Sequence, residues 1–117
     1  MKLSTAIRRG AKIRPQGFDE LFSERLAEGK IQICSCALGA AWEAWRTSEG
    51  APIRVSGPAP HWSEITNHWP ELKQDVELPN GWRADEVVSL ASAVAWLNDE
   101  AQWTREQIAD WLKEKGL

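Results

Sequence analysis

The chain has 117 residues, 43% of them hydrophobic and 26% charged, which suits one domain with its own apolar core and removes compositional support for disordered, collagen-like and membrane-spanning classes. The net charge of −3 conceals an asymmetry: residues 1–17 hold five of the 14 Lys and Arg (Lys2, Arg8, Arg9, Lys12, Arg14) and no acid, so a basic arm precedes an acidic body. Charge at those positions leaves no apolar stretch of the signal-peptide kind. The two cysteines, Cys34 and Cys36, are too close for an unstrained mutual disulfide, so reduced thiols and a cytoplasmic setting are expected.

Leu3, Ala6, Ile7 and Ala11 recur at helical spacing behind Ser4, predicting a first helix capped by Ser4 and stopped near Arg14 by Pro15. A second helical turn is expected around Phe18 to Leu26, then a turn at Glu28-Gly29-Lys30 into a short strand at Ile31-Gln32-Ile33. From Cys36 to Trp45, one stripe of Leu38, Ala41, Trp42 and Trp45 and a second of Ala37, Ala40 and Ala44 predict a central helix with close neighbours. Residues 48–60, rich in Gly and Pro, read as a loop with a brief alternation at Ile53-Arg54-Val55.

His61 to Trp69 predicts a two-turn helix with Trp62, Ile65 and Trp69 on one face, ended by Pro70, and Leu78-Pro79-Asn80-Gly81 predicts a β-turn. The longest helix is expected from Asp85 to Asn98, with Val87, Val88, Ala91, Val94, Ala95 and Leu97 as its apolar face and Trp96 opposite, beside Ser89, Ser92 and Ala93. Thr104 with Gln107 forms a capping box for a last helix, Trp103 is placed to staple onto Ile108, and Gly116 sits where that helix would be capped. The expected fold is mainly α: one domain over 1–117, a compact bundle of about five short helices with at most a minor β ribbon.

The chain is poor in reactive constellations. It has no tyrosine, two histidines, no nucleophile elbow and no phosphate-cradling glycine loop, so no catalytic residues are assigned, no cofactor is implied and the expected class is non-enzymatic. Zinc is disfavoured: one residue separates the cysteines and six separate His61 from His68, against common spacings of about two to four and about three to five. His61, Glu64 and His68 lie on one helical side and leave a metal reading open, with a plain polar edge as its alternative. The segment 103–109 resembles the first helix of a helix-turn-helix, but a recognition helix is missing unless the pair is 85–98 with 104–115. That pair would mix Arg105, Lys113 and Lys115 with Glu106, Asp110 and Glu114, a surface ill suited to phosphate.

Eight tryptophans exceed what so small a domain hides, and indoles are over-represented at interface hot spots. Trp96 with Ser89, Ser92 and Ala93 is therefore the candidate interface, for self-assembly or a protein partner. The alternatives are a small-ligand or nucleotide pocket stacking on Trp62 or Trp69, and a nucleic-acid contact through the basic N-terminal helix. No membrane contact is expected.

Leu3-Ser4, Ala6-Ile7-Arg8, Gly10-Ala11, Arg14-Pro15-Gln16, Cys36-Ala37-Leu38-Gly39-Ala40-Ala41, Leu97-Asn98-Asp99 and Trp103 to Trp111 together resemble a group of small uncharacterised bacterial and phage-associated proteins. The resemblance covers both ends of the chain and not its middle. Members often carry a histidine where Trp96 stands and cysteines in a middle segment that here has none, which weakens any metal reading. It implies a bacterial or phage accessory role and supplies no mechanism.

Overall fold

A computed structural model describes residues 1–53, 58–79 and 86–117. Five α-helices carry the fold: α1 (Leu3–Gly10), α2 (Ala37–Ser48), α3 (Trp62–His68), α4 (Leu90–Asp99) and α5 (Arg105–Glu114). Two antiparallel two-stranded ribbons join them, β1 (Phe22–Ala27) with β2 (Lys30–Ser35) and β3 (Asp75–Glu77) with β4 (Val87–Ser89), and a 3-10 turn spans Pro70–Lys73. The mainly helical expectation holds, with a larger β share than one minor ribbon.

The core joins Leu3 and Ile7 of α1, Leu38 and Ala41 of α2, Ile65 of α3, Leu90, Val94 and Leu97 of α4, and Ile108 and Leu112 of α5. Helix α2 is central, and α1 lies closely along it. Gly10 permits this spacing, since a Cβ there would stand 1.9 Å from the Ala40 carbonyl oxygen; on another side of α2, a Cβ on Gly39 would stand 2.1 Å from the Leu21 carbonyl oxygen, so the chain entering β1 also packs closely.

Several boundaries differ from the sequence reading, each for a physical reason. Phe18 to Leu26 is not helical. Glu28 and Gly29 both take left-handed angles (φ 51° and 75°), closing a two-residue hairpin that requires strands on both sides. Helix α1 ends at Gly10, short of Arg14: the Lys12 and Ile13 amides bond back only three residues, to Arg9 and Gly10, Pro15 has no N–H to offer the Ala11 carbonyl, and the Arg105 guanidinium binds the Ala11 and Arg14 carbonyls (3.2 and 2.6 Å). Ser4 does not cap α1: it lies inside the helix, and its hydroxyl donates to the Leu117 carbonyl at 2.9 Å.

Helix α4 begins at Leu90, and Val87 and Val88 belong to strand β4. Including those two valines in a helical projection rotated the inferred apolar face. The buried face is Leu90, Ala93, Val94, Leu97 and Asn98. Ser89 caps α4, accepting from the Ser92 amide. The capping box of α5 is present, and Leu117 and Gly116 amides return to the Leu112 and Lys113 carbonyls beyond its last turn. Arg54, Val55, Asn80, Gly81 and Asp85, on which parts of the loop, turn and helix expectations fall, lie outside the described residues.

A buried polar junction fastens these elements. The Asn98 amide nitrogen donates to the Gly17 carbonyl (2.9 Å) and to Asp99 (2.7 Å), while its oxygen accepts from the Ala37 amide (3.1 Å) and Gln16 (3.0 Å). Beside it, Arg14 makes a bidentate pair with buried Glu43, both contacts 2.6 Å. Arg105 is buried without a carboxylate among its hydrogen-bond acceptors; these are Ser35, through its carbonyl and hydroxyl, and the carbonyls at the C-terminal end of α1, where the helix dipole favours a cation. The phrases Arg14-Pro15-Gln16, Leu97-Asn98-Asp99 and the start of Cys36-Ala37-Leu38 thus meet in one place, where they hold the fold.

Candidate functional site: a groove at Trp62

The seven described indoles divide sharply. Trp69 is buried, its N–H donating to the Met1 carbonyl at 3.1 Å. Trp42, Trp45, Trp96, Trp103 and Trp111 are half-buried against the core. Trp62, at the start of α3, is 48% exposed.

Trp62 stands where two depressions meet. On one side an open trough of about 430 Å³ runs between α3 and α4, floored by Ala91 and Ala95 with Thr66 and Ser92 beside them. On the other, a smaller hollow of about 110 Å³ is walled by Leu21, Cys36, Leu38, Val94 and Asn98 and rimmed by Asp19, Glu20 and Asp99. Trp62 and Ala95 belong to both, and neither lining includes a Lys or Arg. Asp19 is held in place by its own amide, which donates to Asp99 at 3.0 Å.

The groove is built by ordinary local rules. Ala91, Ser92 and Ala95 lie on a flank of α4 next to its buried face, and small residues there leave room beside α3. Cys36 caps α2, its sulfur accepting from the Gly39 amide at 3.4 Å. Burial, and secondarily the charge of Asp99, push its thiol above the ordinary value against backbone hydrogen bonds that lower it, so it serves as a neutral wall. Both cysteines are free.

Of the residues singled out from sequence, Ser92 and Trp62 line the groove. Ser89 and Ser92 meet through their hydroxyls (2.9 Å) at the start of α4, but Trp96 is half-buried on the core and Ala93 is wholly buried, so the four do not form one exposed patch. Trp69 has no open face for a ligand. It meets His68 edge-on at 4.5 Å, while His68 stacks on Trp45 at 3.8 Å. His61 is exposed at the other end of α3, so His61, Glu64 and His68 do not converge, and among the described residues no three His, Cys, Asp or Glu form a metal-holding group. Sequence reading missed the acidic rim, because Asp19 and Glu20 lie 80 and 79 positions from Asp99 and only folding brings them beside it.

The basic arm forms a separate surface. Lys2, Arg9, Lys12 and Lys113 line a shallow groove of about 360 Å³ along α1, where Arg8 is paired with Asp110. Among the described residues no helix is long and apolar enough to cross a membrane. Compared with protein-family models, curated proteins and solved structures, the chain has no significant match.

Proposed function

We propose that this protein is a non-enzymatic interaction module, of bacterial or phage accessory type, that receives a short partner segment in the Trp62 groove. The occupant that fits is a protein segment pairing an apolar side chain with a Lys or Arg. Its apolar group lies on Ala91, Ala95 and the Trp62 face, and its cation lies toward Asp19, Glu20 and Asp99. A cation over an indole face adds about 0.5–1 kcal/mol at exposed sites, and the carboxylate rim of Asp19, Glu20 and Asp99 steers the same charge.

The observation that supports this most is the half-exposed Trp62 shared by an apolar trough and an acid-rimmed hollow. The same rim opposes a nucleotide, whose phosphates would face three carboxylates. Binding across a panel of immobilised peptides tests the reading. Basic-apolar sequences are expected to bind wild type and to lose at least tenfold in affinity with Trp62→Ala, while acidic sequences stay unbound. Equal binding by wild type and Trp62→Ala would end it.

A second reading has the groove on α1 in its favour: Lys2, Arg9, Lys12 and Lys113 would suit a nucleic-acid backbone. Anisotropy of a labelled oligonucleotide, with Arg9→Glu and Lys12→Glu as controls, tests it. A response that these changes leave intact would refute it.

A further inference from the structure

Among the described residues, the β2 edge of the β1–β2 ribbon is unused at Ile31 and Ile33. Ala27 and Lys30 flank the two-residue turn and form the first hydrogen-bonded pair, so the amides and carbonyls of Ile31, Ile33 and Ser35 point away from β1. Ser35 is taken: its amide donates to the Pro15 carbonyl (3.0 Å) and its carbonyl accepts from Gly17 (2.8 Å). Among the described residues no strand pairs with β2 at Ile31 or Ile33. The side chains of Leu26 and Ile31, directly opposed across the ribbon, are 76% and 70% exposed.

We infer that this edge pairs with the same edge of a second copy, forming a four-stranded antiparallel sheet about a two-fold axis at Gln32. Two free residues two apart fit that arrangement in one register. Ile31 faces Ile33 of the partner copy and Ile33 faces its Ile31, which uses every free backbone group on both copies in four hydrogen bonds. The strand of the partner then ends at its Lys30, beside Cys34, just before the place on Ser35 that Pro15–Gly17 already occupies.

The side chains select a second copy and this edge. Across the β2 edges no like charges oppose one another, because Gln32 meets Gln32. On β1 the outward backbone groups are those of Phe22, Glu24 and Leu26, and the two-fold register that uses all three sets Glu24 on Glu24, a like-charge pair that destabilises. The β2 arrangement also brings the exposed Leu26 and Ile31 of one copy next to the half-buried Ile33 of the other, joining six aliphatic side chains on one face. The pairing is independent of the Trp62 groove, so either can fail without the other.

The test is a cysteine placed on the axis. Light scattering of wild type is expected to give twice the protomer mass at high concentration, and Ile31→Lys, an exposed change, one protomer mass with an unchanged circular dichroism spectrum. Under oxidised glutathione, Gln32→Cys is expected to link into covalent dimers. Arg25→Cys on the outer strand is expected not to, because three strand spacings put its two copies about 14 Å apart. A single protomer mass at every concentration, crosslinking of Arg25→Cys as fast as Gln32→Cys, or an Ile31→Lys variant that remains dimeric would overturn the inference.

Discussion

Replacing Asn98 by leucine keeps the side chain near its present volume and removes every polar contact at the centre of the buried junction. The Gly17 carbonyl and the Ala37 amide lose their Asn98 partner inside the protein. Gln16 keeps a hydrogen bond to the Trp103 carbonyl, and Asp99 keeps that from Asp19, so the damage concentrates on the two backbone groups. An orphaned buried group costs about 1–3 kcal/mol, and the added apolar burial offsets about 1 kcal/mol, for a net loss of about 3 kcal/mol. Against a typical total of about 5–15 kcal/mol this is severe. Urea unfolding followed by tryptophan emission would show it as a midpoint lowered by about 1–3 M at the slope of small domains. A loss under about 1 kcal/mol would refute the reasoning, since the junction would then not fasten the 14–17 segment to α2 and α4.

Three further changes follow from the packing. Gly10→Ala drives a methyl into the Ala40 carbonyl, and parting α1 from α2 is expected to cost about 1–3 kcal/mol in the same unfolding assay. Thr104→Ala removes the capping box of α5 and is expected to cost about 1 kcal/mol, seen as a lower thermal midpoint with the fold retained. Because the Cys36 thiol titrates higher in the folded protein than in the unfolded chain, its contribution is complete below the unfolded value of about 8.5 and declines as pH rises from there toward the folded value. Cys36→Ser keeps an N-cap oxygen and is expected to flatten that alkaline decline in unfolding curves; a decline of unchanged slope would contradict it.

Much of the architecture was legible wherever a segment obeyed one period and carried its own stop signal. Helix α5, with Thr104, Gln107 and Gly116, is the clearest case, and α2, with its stripes of alanine and tryptophan, is nearly as clear. The failures lie where long-range contacts override local pattern. The apolar spacing of Phe18, Phe22 and Leu26 suits a helix, yet the hairpin at Glu28-Gly29 makes the latter part of that stretch a strand. Val87 and Val88 fit the helical wheel of α4 but pair with β3, and counting them turned Ala93 outward when it is wholly buried. The groove was half visible: Trp62 and Ser92 stand out as residues, whereas Asp19 and Asp99 are 80 positions apart and no local pattern joins them.

The proposed function turns on one event, the seating of a basic-apolar segment in the Trp62 groove. Its most direct measurement follows the indole N–H resonance of Trp62, identified by its loss in Trp62→Phe, while a peptide pairing arginine with leucine is titrated into labelled protein. A saturable shift of that resonance and of the Ala91 and Ala95 amides is expected, weakened by salt and abolished by Glu20→Lys. A Trp62 resonance that stays fixed while the peptide binds elsewhere, or one that moves equally with an acidic peptide, would contradict it.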